Sequence, residues 1–135
     1  MPRGFVGSFI IAALTFVGFP SIAPADELVM FEQAGCPYCA LWNREVGPAY
    51  GKTDEGKSLP LRRVDIHAQR AADLQAIAGV RFTPTFVVMH CGLEFRRITG
   101  YAGNEQFWGL LDEAERSLKA EPKTGAGACE APAPR

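Results

Sequence analysis

The sequence predicts an α/β fold: a four-stranded mixed sheet with helices on both faces, in the order β-α-β-α-β-β-α. Three observations carry that reading. The first half of the chain alternates strand and helix signals, as a right-handed βαβ unit with parallel strands does. The second half carries two strand signals either side of one glycine turn, and then a long amphipathic stretch. The chain has 135 residues, 47% of them hydrophobic, which is one domain's worth of core.

The elements follow in order. Leu28-Val29-Met30-Phe31 is an apolar run stopped by Glu32-Gln33-Ala34-Gly35, a buried strand ended by a turn. Residues 36–46 hold helix formers without an internal glycine; Pro37 suits a first helical turn, and Gly47-Pro48 ends the helix. Residues 49–58 are polar and glycine-containing and read as a loop, and residues 59–66 as a second strand. Residues 71–78, with Leu74, Ile77 and Ala78 on one face, predict a helix closed by Gly79. Phe86-Val87-Val88-Met89 is a β-branched and aromatic strand, Gly92 marks a hairpin, and residues 93–99 return. Phe107, Leu110, Leu111, Ala114 and Leu118 recur at helical spacing, with Asn104 as the expected N-cap.

Both ends differ in composition from this domain. Arg3 precedes the uncharged run FVGSFIIAALTFVGF, Pro20 breaks it, and Ala23-Pro24-Ala25 carries small residues where a signal peptidase reads. Residues 1–25 are therefore expected to be a cleaved secretory signal, because the run of 15 residues falls short of the roughly 20 of a spanning helix. The domain is expected over residues 26–118, and residues 119–135, rich in Ala, Pro and Gly, as a disordered tail. Export would place the chain in a bacterial periplasm, where disulfides persist. A formal net charge of −1 gives no electrostatic ground for a nucleic-acid partner.

The chemistry sits in Cys36-Pro37-Tyr38-Cys39, a C-x-x-C between a strand and a helix. A thiolate attacks a disulfide, and the start of a helix stabilises an anion through its unpaired N–H groups and dipole. Cys36 is thus the expected nucleophile, with a thiol more acidic than a free one. Cys39, one turn on, is the resolving thiol that releases the product. Thr83-Pro84-Thr85 precedes a strand; a cis bond before Pro84 would fix a tight turn beside Cys36. The backbone of Thr83 would then be open to an extended substrate chain. Tyr38 is either a substrate contact or an exposed spacer. Arg81, three residues before Pro84, is a candidate for the rim, where a cation favours a thiolate or an anionic ligand.

CPYC at a strand–helix junction, TPT before a strand, and Gly100-Tyr101-Ala102-Gly103 before the last helix together resemble the thioredoxin superfamily. The resemblance runs from about Leu28 to Leu118 and implies the thioredoxin-like three-layer fold, with Pro84 as the cis-proline and Cys36 as the exposed, attacking cysteine. The chain lacks thioredoxin's extra N-terminal strand and helix, and Met30 stands where thioredoxin has a buried acid; Glu32 is the candidate to replace that acid. CPYC and the compact start are similar to glutaredoxin, whose Gly-Gly-Asp turn is absent, so glutathione stays open as a partner. The FEQxGCPYC opening, the strand around Pro60-Leu61-Arg62-Arg63-Val64-Asp65-Ile66 and Thr99-Gly100-Tyr101 resemble the exported SoxS/SoxW-type proteins of sulfur-oxidation systems. That resemblance implies a periplasmic thiol–disulfide oxidoreductase without cofactor, most simply a monomer and a reductant. Its partner would be an exported protein bearing a cysteine or disulfide, and its electron donor would be membrane-embedded. The rival readings are a glutaredoxin-type, glutathione-dependent enzyme and a metal-binding or chaperone module using the CPYC thiols, with His90-Cys91 as further ligands.

Two cysteines remain. Cys91 is expected as a buried small hydrophobe, and the competing reading pairs it with Cys129. Cys129 itself could equally be a self-substrate, an intermolecular link or without a role. His67, His90, Arg62, Arg63, Arg96 and Arg97 read as structural or solvent-facing, and Trp42 and Trp108 as packing residues.

Overall fold

Alternation along the central strands divides the core in two. The computed structural model describes Met1 and residues 25–121. The expected signal segment, save for Met1 and Ala25, and the expected tail beyond Glu121 lie outside the described residues. Strand β1 (Glu27–Glu32) is followed by helices α1 (Pro37–Glu45), α2 (Gly47–Tyr50) and α3 (Asp54–Ser58). Strand β2 (Leu61–Asp65), a 3₁₀ turn (Ala72–Leu74), strands β3 (Thr85–His90) and β4 (Leu93–Thr99) and helix α4 (Asn104–Ala120) complete the chain. The sheet order is β2-β1-β3-β4, with β1 and β2 parallel and the other pairs antiparallel. This is the mixed four-stranded sheet that the two halves of the sequence predict.

On one face Leu28 and Met30 of β1 and Phe86 and Val88 of β3 pack with α1, α2 and α4. Trp42, Phe86 and Phe107 form the centre, with ring centroids 4.9 to 5.7 Å apart in tilted and edge-on arrangements. On the other face Val29, Phe31, Val87 and Met89 are covered by Leu74 and Ile77.

The helix expected over residues 71–78 is a single 3₁₀ turn, Ala72–Leu74. Ala71 offers no side chain to cap the first N–H groups, and the Arg70 guanidinium donates to the Ile77 carbonyl that a continuing helix would use. Leu74 and Ile77 are still buried, three residues apart. The expected loop over residues 49–58 instead forms α2 and α3. Thr53 caps α3 by accepting the Gly56 N–H at 3.0 Å, Asp54 and Glu55 sit in its first turn, and the buried Tyr50 hydroxyl donates to the Leu59 carbonyl at 2.7 Å. Gly103, not Asn104, is the N-cap of α4, and that helix continues to Ala120, two residues beyond the expected end of the domain.

Registers set the functional end of the molecule. Phe31 pairs with Thr85 and Thr85 with Thr99, so the loops after β1, before β3 and after β4 meet at one sheet end. The opposite end carries the start of β1 and the β3–β4 turn, where His90 Nδ1 lies 2.7 Å from Asp26.

Candidate active site: a dithiol at the start of a helix

The local sequence places Cys36 at a boundary. Gly35 turns the chain with φ of +74°, a conformation that favours glycine, and Pro37 begins α1 where a missing N–H is harmless. Cys36 is left as the N-cap, with extended backbone (φ −74°, ψ 111°). Its Sγ accepts the Cys39 N–H at 3.1 Å, the bond that a Ser or Asp oxygen makes at an ordinary helix start. The same donor is directed at the sulfur when it becomes a thiolate. The two cysteines are joined in a disulfide with their Cα atoms 5.2 Å apart.

Cys36 is 7% exposed and Cys39 3%. Both belong to the buried core cluster that includes Trp42, so Cys36, expected as the exposed cysteine, is instead buried where it caps the helix, only slightly less so than Cys39. The Thr83–Pro84 bond is cis, and the Thr83 carbonyl oxygen lies 3.4 Å from Cys36 Sγ. Two bonds hold this loop: Thr85 Oγ1 donates to the Phe82 carbonyl at 2.7 Å, and the Gly100 N–H donates to the Pro84 carbonyl at 2.7 Å. The second joins the GYAG turn to the TPT turn, so the three motifs are one structure.

Tyr38, in the first turn of α1, is 59% exposed, and Phe82, in the loop before the cis bond, is 68% exposed. Tyr38 also lines a groove of about 350 Å³ with residues 98–102, Gln106, Phe107 and Leu110. No lining side chain is charged. Phe82 is a candidate substrate contact that sequence reasoning missed. An exposed large aromatic directly before Thr83-Pro84 was the available signal.

The other predicted residues fall as follows. Pro37 is exposed, Pro84 buried and Thr83 half-buried. Arg81 is exposed in the segment leading to Thr83 and forms no ion pair among the described residues. Glu32, the candidate for the missing buried acid, is held by Arg63, whose Nε donates to it at 2.7 Å while another guanidinium N–H donates to Asn43 on α1 at 2.8 Å. Tyr101, buried beneath the groove, donates to the Glu45 carboxylate at 2.6 Å; burial first, and that carboxylate second, push its phenol up to about 12.

Two expectations about Cys91 are corrected. It is a half-buried member of a disulfide, not a free buried hydrophobe. His90-Cys91 also lies at the opposite end of β3 from Thr85, so it cannot complete a ligand set with CPYC. Among the described residues no three His, Cys, Asp or Glu side chains gather as a metal site. Cys129 lies outside the described residues.

The comparisons agree with this arrangement. A family model described as the thioredoxin-like domain matches residues 25–115. Comparison with curated proteins gives no match. Among solved structures, the reduced periplasmic thioredoxin SoxS from Paracoccus pantotrophus is 40% identical with a TM-score of 0.66, over 69% of this chain and 98% of that one. The thioredoxin Mala s 13 from Malassezia sympodialis, 22% identical with a TM-score of 0.50 over 66% and 74% of the two chains, shares the fold. The Cys36–Cys39 couple at a helix start, on this frame, is that of a thiol–disulfide oxidoreductase, and the chain belongs to the thioredoxin superfamily, among its SoxS-type members.

Proposed function

We propose that this protein is a periplasmic dithiol reductant that keeps a cysteine of an exported partner protein in its reduced state. A cysteine-bearing carrier of a sulfur-oxidation system is the partner that the SoxS/SoxW resemblance suggests. The observation that carries the reading is the position of Cys36: N-cap of α1, bonded to Cys39, and 3.4 Å from the Thr83 carbonyl.

The exchange balances as follows. The Cys36 thiolate attacks one sulfur of the partner's disulfide, and the other leaves as a thiolate. Cys39, deprotonated, then attacks Cys36 Sγ, closes the Cys36–Cys39 disulfide and releases the partner's second sulfur. Two electrons pass to the partner, and a membrane-embedded donor returns two to this protein. The substrate chain would lie extended along Thr83 and Pro84, with Tyr38 and Phe82 as apolar contacts and Arg81 at the rim. The uncharged groove favours a polypeptide over glutathione, whose carboxylates would find no cation there.

The test is Cys39→Ser. The variant is expected to lose turnover of protein disulfides and to accumulate a mixed disulfide through Cys36. Full activity of Cys39→Ser on glutathione mixed disulfides would establish the glutaredoxin-type reading instead. The direction of electron flow is read from the potential of the couple: a value as oxidising as about −120 mV would overturn the reducing role.

A further inference from the structure

Glu45 stands where a helix least favours a carboxylate. It is the last residue of α1, beside unpaired carbonyls and the negative end of the helix dipole. A partner from far along the chain offsets that placement: Tyr101, 56 positions on, donates its phenolic hydrogen to Glu45 at 2.6 Å. Tyr101 is buried and Glu45 exposed, so the bond lies at the edge of the packed core. A residue that breaks a local rule while meeting a long-range partner points to a role beyond the helix itself.

The bond closes a ring of contacts at the groove that Tyr38 lines. The Cys36 sulfur, at the start of α1, lies 3.4 Å from the Thr83 carbonyl oxygen. Pro84, next in the chain, accepts the Gly100 N–H at 2.7 Å, and Tyr101 after Gly100 returns to the end of α1. Both ends of a nine-residue helix, about 13 Å apart, are thus tied to the TPT and GYAG loops. Among the described residues, Tyr101–Glu45 is the only hydrogen bond between α1 and residues 99–103. Gly100 and Gly103, with φ of +84° and +121°, flank Tyr101 and Ala102 with the residue of least backbone restraint. The Tyr101 side chain therefore fixes where the turn sits, between Glu45 on α1 and the Phe107 ring on α4, whose centroid is 6.2 Å away. The groove takes residues 98–102 from the end of β4 and this turn, and Tyr38 alone from α1.

We propose that Tyr101 and Glu45 are positioning residues for exchange with protein substrates: their hydrogen bond holds the turn-borne lining of the groove in register with the helix that carries Cys36. The inference deepens the proposed function and rests on its placing of the substrate polypeptide. A polypeptide must meet the groove and the sulfur together, so its binding depends on how the two are set relative to each other. A small disulfide needs only the sulfur. Neither Tyr101 nor Glu45 takes part in the exchange itself, whose bonds and electrons are those already given.

The test measures single-turnover exchange of the full chain, with Cys36 and Cys39 reduced, against insulin and against hydroxyethyl disulfide. Tyr101→Phe and Glu45→Ala are each expected to raise the half-saturating concentration of insulin about three- to tenfold, with the limiting rate and the rate with hydroxyethyl disulfide unchanged. Glu45→Gln keeps an acceptor for the phenol and is expected to stay within about twofold of the parent chain. The double variant Tyr101→Phe/Glu45→Ala is expected to be no worse than either single one, because both remove the same bond. Unchanged insulin exchange in Tyr101→Phe, an equal loss on hydroxyethyl disulfide, additive losses in the double variant, or a Glu45→Gln as impaired as Glu45→Ala would each overturn the proposal. Leu110→Ala, which alters the groove and leaves the pair in place, separates the proposal from the reading beneath it. If Leu110→Ala weakens insulin exchange and Tyr101→Phe does not, the pair alone is removed. If Leu110→Ala has no effect, substrates do not use the groove, and the pair's role falls with that reading.

Discussion

At the scale of single residues, two sulfurs of the same kind are made unequal by their place in a helix. Cys36 caps the helix and accepts a backbone N–H; Cys39 lies within the helix one turn on, and both are buried in the core. That inequality was legible from CPYC and Pro37, because capping is a local rule. The surroundings of the pair were not legible, since they depend on residues brought in from other elements. Arg63 holds Glu32, the acid that the sequence offers as a replacement for the missing buried one, in an ion pair. Tyr101 was visible as part of the GYAG turn, but its bond to Glu45 on α1, 56 positions away, was not. That bond has a consequence for pH. The folded chain holds the Tyr101 proton up to about 12, whereas the unfolded chain loses it near 10. Stability from this group is complete below pH 10 and lost as pH rises through 10 to 12. Tyr50, raised by burial and by Glu115 and Glu55, adds to the fall in the same direction. Urea unfolding of Tyr101→Phe across pH 9 to 12 is expected to show a shallower decline than the parent chain. An identical decline would remove Tyr101 from the account.

At the scale of elements, period and punctuation read well where a segment has both an apolar face and a cap. β1, β3, β4, α1 and α4 lie where alternation, Pro37 and the helical repeat from Phe107 to Leu118 indicate. Residues 71–78 have the periodicity without a capping side chain, and the outcome is a 3₁₀ turn anchored by Leu74 and Ile77. A helix of that length has little stability of its own. Residues 49–58 show the reverse. Their polar composition suggests a loop, while Thr53-Asp54-Glu55 carries the cap and first-turn acids of a short helix. Gly56 is the tight point of that helix, because a Cβ there would overlap the Tyr50 backbone carbonyl. Gly56→Ala is expected to destabilise the protein by about 1–3 kcal/mol in urea unfolding. A neutral result would mean that α3 moves freely against Tyr50.

At the scale of the whole molecule, the sheet is a device for bringing three loops to one end. The order β2-β1-β3-β4 and the Phe31–Thr85–Thr99 registers put CPYC, TPT and GYAG together, and Gly100 and Pro84 join two of them by a hydrogen bond. The βαβ half and the hairpin half were legible, and so was the place of TPT beside CPYC; the arrival of GYAG there was not. The unequal cover of the two sheet faces was not, because it follows from how far each helix extends once folded. The thicker face depends on Phe107, which packs edge-on against Phe86 and Trp42 behind the site. Phe107→Ala is expected to cost about 3–5 kcal/mol. A loss under 1 kcal/mol by the same unfolding measurement would show that the aromatic centre is not what holds α4 to the sheet.

The most direct test of the central claim is the rate of alkylation of each cysteine in the reduced protein as a function of pH, resolved by peptide mass. Cys36 is expected to react first and to reach its plateau at a lower pH than Cys39, because the helix start favours its sulfur as a thiolate. Equal rates and equal plateaus for the two cysteines, or faster labelling of Cys39, would contradict the account.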